Sequence, residues 1–304
     1  MATLLLVNPR FDGLVRRHRL DDFDHVMRTL AGRQPGGHVD RDVRELRLDD
    51  DGRMVRLFLK REYKTSVRGR LMNWFAGFGR ATRSRREWYV LMALLDAGIG
   101  CAEPVVYGER GTIRPVGYLI LYEIERSVPL TEYLLGRGPR INLRDRRQLA
   151  AHIGHEIARM HEAGITHPDL YSKHVFLSDE RAECPARSAA CGVRNSEHSA
   201  LRAPSSELPR VSFLDLQRGG IRWSVSLDRR AVDLAALDAT LSPELASATD
   251  RLTFLQSYLS HVRPGYDLQT FLAAVRLRAR EIADRAKIRE MRETRPAEAL
   301  HALP

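Results

Sequence analysis

The 304-residue chain lacks any apolar run long enough to cross a bilayer; its longest, ATLLLV at residues 2–7, is far short of the ~20 residues that a spanning helix needs. That run also lacks a basic flank, a full apolar stretch and a small-residue cleavage site, so no secretory leader is read and the expected location is the cytoplasm. Cysteine is scarce. Cys101, Cys184 and Cys191 are an odd set that argues against a disulfide framework and suits a reducing compartment. No C-x-x-C pair supports zinc at Cys184, Cys191 and His198, which read as residues of an inserted loop. No H-E-x-x-H pair occurs either, so His152, His155 and His161 read as solvated or capped histidines. Internal repeats are absent, and so is a clear G-x-G-x-x-G; GRQPGG (32–37) reads either as a weak phosphate-covering loop or as a surface turn.

What is present is an ordinary globular composition, 43% hydrophobic and 29% charged, with a net charge of +10 that predicts attraction to polyanions. Nucleotide, anionic lipid and phosphorylated glycan all satisfy that charge. Nucleic acid is not expected as a partner, because no recognition motif accompanies the charge.

Helical spacing at Phe23, Val26, Met27 and Leu30 predicts a helix over 20–32 with Gly32 as its stop. VRELRLDD and RMVRLFLK alternate around DDDG and predict a hairpin that carries Lys60 near its end. A helix is expected over 84–98, stopped at Gly98, then strands in CAEPVVYGE and VGYLILYEIE. After about residue 125 helices dominate. Leu149, Ile153, Ile157 and Met160 share one face of a helix ending at Gly164. Segment 178–210 is Pro/Ser/Arg-rich and reads as an insertion, RVSFLDLQRGG as a short strand carrying Asp215, and 228–241 as a further helix.

Phosphoryl transfer from a nucleoside triphosphate needs a cation on the phosphates, a carboxylate to hold that cation, a carboxylate at the acceptor hydroxyl and another for a metal ion. Lys60, Glu87, Asp169 and Asp215 occur in that order on a strand, a helix, a loop and a strand end. Each has a bland reading alone: an edge-strand charge, a solvated helix residue, a turn residue. The joint pattern favours the sharper one.

HEAGITHPDLYSKHVFL followed by VSFLDLQRG resembles the catalytic loop and metal-binding strand of the lipopolysaccharide kinase family (Kdo/WaaP type), relatives of protein kinases. FLKR, SRREWYVLMALLDAGIGCAEPVVYGE, LILYEIE and RRAVDLAAL follow the family's order, so the resemblance covers roughly residues 35–240. It implies an α+β, bilobal protein-kinase-like fold with a sheet-rich, nucleotide-binding N-lobe (1–125) and a mainly helical C-lobe (126–304). It also implies ATP and Mg2+, with Lys60 on the α- and β-phosphates, Glu87 as its partner, Asp169 as the catalytic aspartate and Asp215 on the metal. Asp233 resembles the helix aspartate that anchors the catalytic-loop backbone. His174 stands where ordinary kinases carry Asn, and two roles stay open for it, metal or phosphate contact. Pro168 replaces the arginine that partners an activation-loop phosphate, and His167 reads as a structural hydrogen-bonding residue.

The implied reaction is phosphorylation of a heptose or Kdo hydroxyl of the lipopolysaccharide inner core. A kinase of this fold on a protein or small-molecule acceptor, and a silent pseudokinase, stand as alternatives. The basic stretch 60–86, with Lys64, Arg68, Arg70, Arg80, Arg83, Arg85 and Arg86 around Trp74, Phe75 and Phe78, reads equally as a solvated surface or as a peripheral contact with anionic membrane or glycolipid.

Overall fold

The computed structural model describes residues 3–38, 40–64, 71, 73, 74, 77–79, 81–137, 141–178, 208–263 and 265–293. Insertion residues 179–207, and with them Cys184, Cys191 and His198, lie outside the described residues, as do Arg68, Arg70, Phe75 and Arg80. A six-stranded antiparallel sheet is built from β1 (Thr3–Val7), β2 (Arg33–His38), β3 (Arg41–Asp50), β4 (Arg53–Glu62), β6 (Pro104–Arg110) and β7 (Val116–Tyr122), in the order β1-β6-β7-β4-β3-β2. The β3–β4 hairpin turns on Asp51 and Gly52, both at positive φ (53° and 83°), the backbone that a tight two-residue hairpin requires.

Strand alternation then sorts the side chains of β4. Val55, Leu57 and Leu59 face a core made with Phe11, Leu14, Val15 and Leu20 from the N-terminal segment, which includes α1 (Asp12–Arg17). Lys60 and Glu62 fall on the alternating positions and meet the next helix, α2 (Arg83–Asp96). Because β4 lies between β3 and β7, Lys60 is buried on an interior strand, which removes the edge-strand reading.

Helix α2 opens with arginines, the wrong charge for a helix N-terminus. Two acids compensate. Glu62 accepts from Arg83 N at 3.0 Å, and Glu109 accepts from Thr82 N at 2.8 Å while Arg85 pairs with its other oxygen. Inward, α2 buries Glu87 and, beside it, Trp88, Val90, Leu91 and Leu94, the four of which join the larger hydrophobic core.

The expected helix over 20–32 is shorter. A helical turn at 23–24 continues as a π-helix, His25–Thr29, and then stops. The buried Arg61 guanidinium takes Val26 O at 2.8 Å and Leu30 O at 2.5 Å, so the carbonyls that would end the helix bond to a side chain. Gly32 is no helix stop but lies against β3, where a Cβ would come within 2.7 Å of Glu45 O.

The remaining elements are β5 (Gly100–Cys101), β8 (Ser127–Pro129), α3 (Leu130–Arg137), α4 (Leu143–Glu162), β9 (Ile165–Thr166), β10 (Val175–Ser178), β11 (Arg210–Phe213), β12 (Gly220–Ile221), α5 (Leu227–Asp238), α6 (Ala248–His261) and α7 (Leu268–Glu293). Helix α4 packs on α6 and α5 on α7, with small sheets β5-β11-β10-β8 and β12-β9 beside them. No described helix is long and apolar enough to cross a membrane.

Gly154 sets the α4–α6 approach, since a Cβ there would stand 2.4 Å from Phe254 O. Alanine gains about 1 kcal/mol of helix propensity. Overpacking against an immovable backbone carbonyl costs about 1–3 kcal/mol and wins. Gly154→Ala is therefore expected to lower the urea midpoint; a raised midpoint would contradict this packing.

Candidate active site

Antiparallel pairing of β10 with β11 sets Val175 opposite Phe213, and Leu214 N donates to His174 O at 3.0 Å. This short ladder brings the end of the 164–177 stretch against Asp215. Asp215 takes a left-handed backbone (φ 62°), a conformation that Asp tolerates better than most residues. Its Oδ1 lies 3.5 Å from Lys60 Nζ, and its Oδ2 lies 3.7 Å from His174 Nε2. Burial works to raise the Asp215 carboxyl, but Lys60, His174 and Arg41 outweigh it and hold the group below the usual carboxylate range.

Lys60 Nζ donates to Glu87 Oε1 at 2.6 Å, and Glu87 is fully buried, so the solvated-helix reading of Glu87 falls. Among the described residues the second Glu87 oxygen has no hydrogen bond; Arg41 Nη2 stands 3.7 Å from it. Arg41, at the start of β3, also bonds Gln217, two residues past Asp215.

The 164–177 stretch is held from beneath. Asp233 Oδ2 on α5 accepts from His167 N at 2.5 Å and from His161 Nε2 at 3.2 Å. His161 Nδ1 meets the Tyr258 hydroxyl at 2.7 Å, and that oxygen accepts from Arg230 Nη1 at 3.2 Å. All of these side chains are buried, so His161 is a core residue of the loop's support and not a solvated one. His167 Nε2 faces the Leu214 carbonyl at 3.1 Å and must donate to it. Likewise His174 Nδ1 donates to Asp169 O at 2.7 Å, which turns Nε2 toward Asp215.

Asp169 itself is buried, and Arg218 Nη1 donates to its Oδ1 at 2.6 Å. Burial raises the Asp169 carboxyl, with Arg218 pulling the other way and Asp215 adding to the rise. A carboxylate so raised is better suited to take a proton than an ordinary aspartate.

Lys60, Glu87, Asp169, His174 and Asp215 thus converge in one place, as a cation for anionic oxygens, a carboxylate for a metal and a carboxylate for a proton. For a divalent ion the fit rests on Asp215: its two oxygens are met by Lys60 Nζ at 3.5 Å and His174 Nε2 at 3.7 Å, longer than hydrogen bonds, which leaves their lone pairs available. His174 Nε2 adds a nitrogen, a donor that magnesium favours less than oxygen.

The residues that sequence reading missed are Arg41 and Arg218, and Arg86, read there as part of a basic surface, instead bonds the backbone at 218–219. Arg218, next to the glycine pair of DLQRGG, carried the only local hint. The H-x-x-H-E spacing on α4 also brings His152, His155 and Glu156 ligand atoms within 4.8 Å of one another. Their atoms are already engaged, Glu156 by Arg159 at 2.9 and 3.2 Å and His152 Nε2 by Pro209 O at 3.1 Å. In the basic stretch, Phe78 stacks on Tyr89 beneath Arg86 while Trp74 is exposed.

Burial pushes the His167 imidazole down to about 4. Unfolded, it returns to about 6.5, so between these values the unfolded chain binds more protons and stability falls as pH falls. At about 1.4 kcal/mol per pKa unit the loss is on the order of 3 kcal/mol once pH is below about 4. Denaturant unfolding from pH 7 to 4.5 is expected to show this slope, flattened in His167→Gln; equal slopes would remove the assignment.

The Lipopolysaccharide kinase (Kdo/WaaP) family matches residues 44–258 of the chain. The lipopolysaccharide core heptose(I) kinase WaaP of Pseudomonas aeruginosa is 27% identical over 58% of this chain and 59% of its own length. The 3-deoxy-D-manno-octulosonic acid kinase of Vibrio cholerae serotype O1 is 26% identical over 50% of this chain and 62% of its own. The matches thus span about three fifths of each relative. A solved structure described as WaaP in complex with acyl carrier protein superposes with a TM-score of 0.64 at 24% identity, over 91% of this chain and 98% of that one, which shows a shared fold. With the expected α+β, kinase-like fold in place and the family matched across most of its length, the chain belongs to the lipopolysaccharide kinase (Kdo/WaaP) family.

Proposed function

We propose that the protein is an ATP-dependent kinase that phosphorylates a sugar hydroxyl, heptose or Kdo, of the lipopolysaccharide inner core. The observation that carries the reading is the convergence of Lys60, Glu87, Asp215, His174 and Asp169 in a chain of this family. ATP is assigned between an N-lobe (1–125) and a C-lobe (126–304), near YLILYEIE. Lys60, held by Glu87, contacts the α- and β-phosphates. Asp215, with His174 beside it, would hold Mg2+, which supplies charge neutralisation on the phosphates.

Asp169 orients the acceptor hydroxyl and takes its proton as the hydroxyl oxygen bonds to the γ-phosphorus and the bond to the β–γ bridging oxygen breaks, releasing ADP. Asp169 Oδ1 is held by Arg218, so that oxygen takes the proton only once Arg218 has moved away. The exposed part of the basic stretch, which among the described residues includes Tyr63, Lys64, Leu71 and Trp74, is assigned to peripheral contact with the anionic membrane face that presents the glycolipid.

Asp169→Asn is expected to cut transfer of radiolabelled phosphate from ATP to core-truncated lipopolysaccharide by about 10²–10⁴-fold, with nucleotide affinity retained. Wild-type turnover in that variant would overturn the role. Asp215→Asn is expected to weaken the divalent-ion dependence of ATP binding, measured by titration with and without chelator; an unchanged dependence would remove Asp215 from the metal.

A further inference from the structure

The segment from Asp215 to Ser226 is short, and its backbone is tied down between Leu216 and Arg222. Gly219 N donates to Leu216 O at 2.8 Å, Gly220 and Ile221 pair with Thr166 and Ile165, and Arg222 N donates to Gly164 O at 2.9 Å. From α2, Arg86 donates to Gly219 O and, at 2.7 Å, to Arg218 O. Glycine at 219 permits this seat, since a Cβ there would stand 2.9–3.1 Å from Leu216 O, Val90 Cγ1 and Thr166 O.

Several side chains of this segment, and Arg229 in the first turn of α5, stand in solvent. Trp223 has a relative exposure of 102%, so its whole indole is presented to water. Arg222 and Arg229 are exposed, and among the described residues neither has a carboxylate partner. Arg218 is mostly exposed yet reaches Asp169 at 2.6 Å, so the patch is continuous with the carboxylate assigned to the acceptor hydroxyl. Burial pushes the Arg86 guanidinium down to about 10, with Arg218, Arg222 and Arg229 adding to the fall and Asp169 opposing it, which places these arginines near one another.

Fully exposed tryptophan and unpaired arginines on a fixed backbone cost solvation and self-repulsion with no gain to the fold. A ligand with an apolar face and anionic groups resolves both costs. The C–H face of a pyranose packs on an indole, and planar guanidinium groups take carboxylate or phosphate bidentately.

We infer that Arg218, Arg222, Trp223 and Arg229 form the acceptor platform, which binds a sugar bearing carboxylate or phosphate groups by stacking on Trp223 and pairing with the arginines. This rests on the proposed kinase reading, which it deepens by naming what recognises the acceptor. In the free protein Arg218 occupies Asp169 Oδ1, and an anionic group of the acceptor draws that guanidinium away, so acceptor binding frees the carboxylate that takes the proton.

The test uses the full chain and two variants, Trp223→Ala and Arg222→Gln, whose exposed positions leave the folded core intact. De-acylated inner-core oligosaccharide with its phosphates and carboxylates is titrated by calorimetry, and transfer kinetics are measured on core-truncated lipopolysaccharide. Each variant is expected to weaken oligosaccharide binding and raise the acceptor KM by about tenfold, while the KM for ATP stays put. Dephosphorylated, carboxyl-reduced oligosaccharide is expected to bind wild type about as weakly as the charged form binds the variants. Wild-type affinity in both variants, or indifference to the anionic groups, overturns the platform. Equal losses on anionic phospholipid vesicles and on oligosaccharide overturn it in favour of a membrane contact. If wild type binds the oligosaccharide through Trp223 but transfers no phosphate, the kinase reading fails and the platform stands; transfer with unchanged acceptor KM in the variants does the reverse.

Discussion

A buried ammonium must be matched, and Lys60 is matched by Glu87 at 2.6 Å, with Glu87 inaccessible to solvent. Neither charge is tolerable alone at such a site, because an unpaired buried ion costs several kcal/mol or more. The pair therefore locks the interior strand β4 to helix α2 and fixes the rotation of that helix. The rotation has a second consequence one residue earlier, where Arg86 reaches the backbone at 218–219 and seats the segment that follows Asp215. One contact thus sets the position of Lys60 and, through the same helix, the seat of the segment that follows Asp215.

The 164–177 stretch depends on a different anchor. Asp233 meets the backbone of His167 and the ring of His161, and behind them Tyr258 and Arg230 extend the chain of hydrogen bonds into the helical core. A backbone N–H held by a buried carboxylate cannot drift without leaving both groups unsatisfied. Asp169, two residues on, inherits that rigidity while Arg218 contests its oxygen. The two carboxylates of the site are pushed opposite ways: Asp215 is held anionic by Lys60, His174 and Arg41, while burial raises Asp169. Environments that separate two like groups in this way divide the work between a charge that stays and a proton acceptor.

Legibility in the sequence followed the range of the forces involved. The 41–62 hairpin was readable because two-residue alternation and the Asp51–Gly52 turn are local. Helices α2 and α4 were readable from 3.6-residue periodicity and from Gly98 and Gly164, both at positive φ just past their ends. The 20–32 helix was over-read because Arg61, thirty residues further along, claims its carbonyls. His161 looked solvated in a polar helix, and only α5 and α6 packing around it makes it a buried support.

By itself the sequence determined element type, the order of the chemistry-bearing residues and the family they belong to, since these reside in spacing and local conformational preference. Only the tertiary structure decided that Lys60 lies inside the sheet, that Arg41 flanks Glu87 and that Arg218 holds Asp169. Charge–charge contacts join residues tens to hundreds of positions apart. Their energies depend on distance and burial, which no spacing in the sequence encodes.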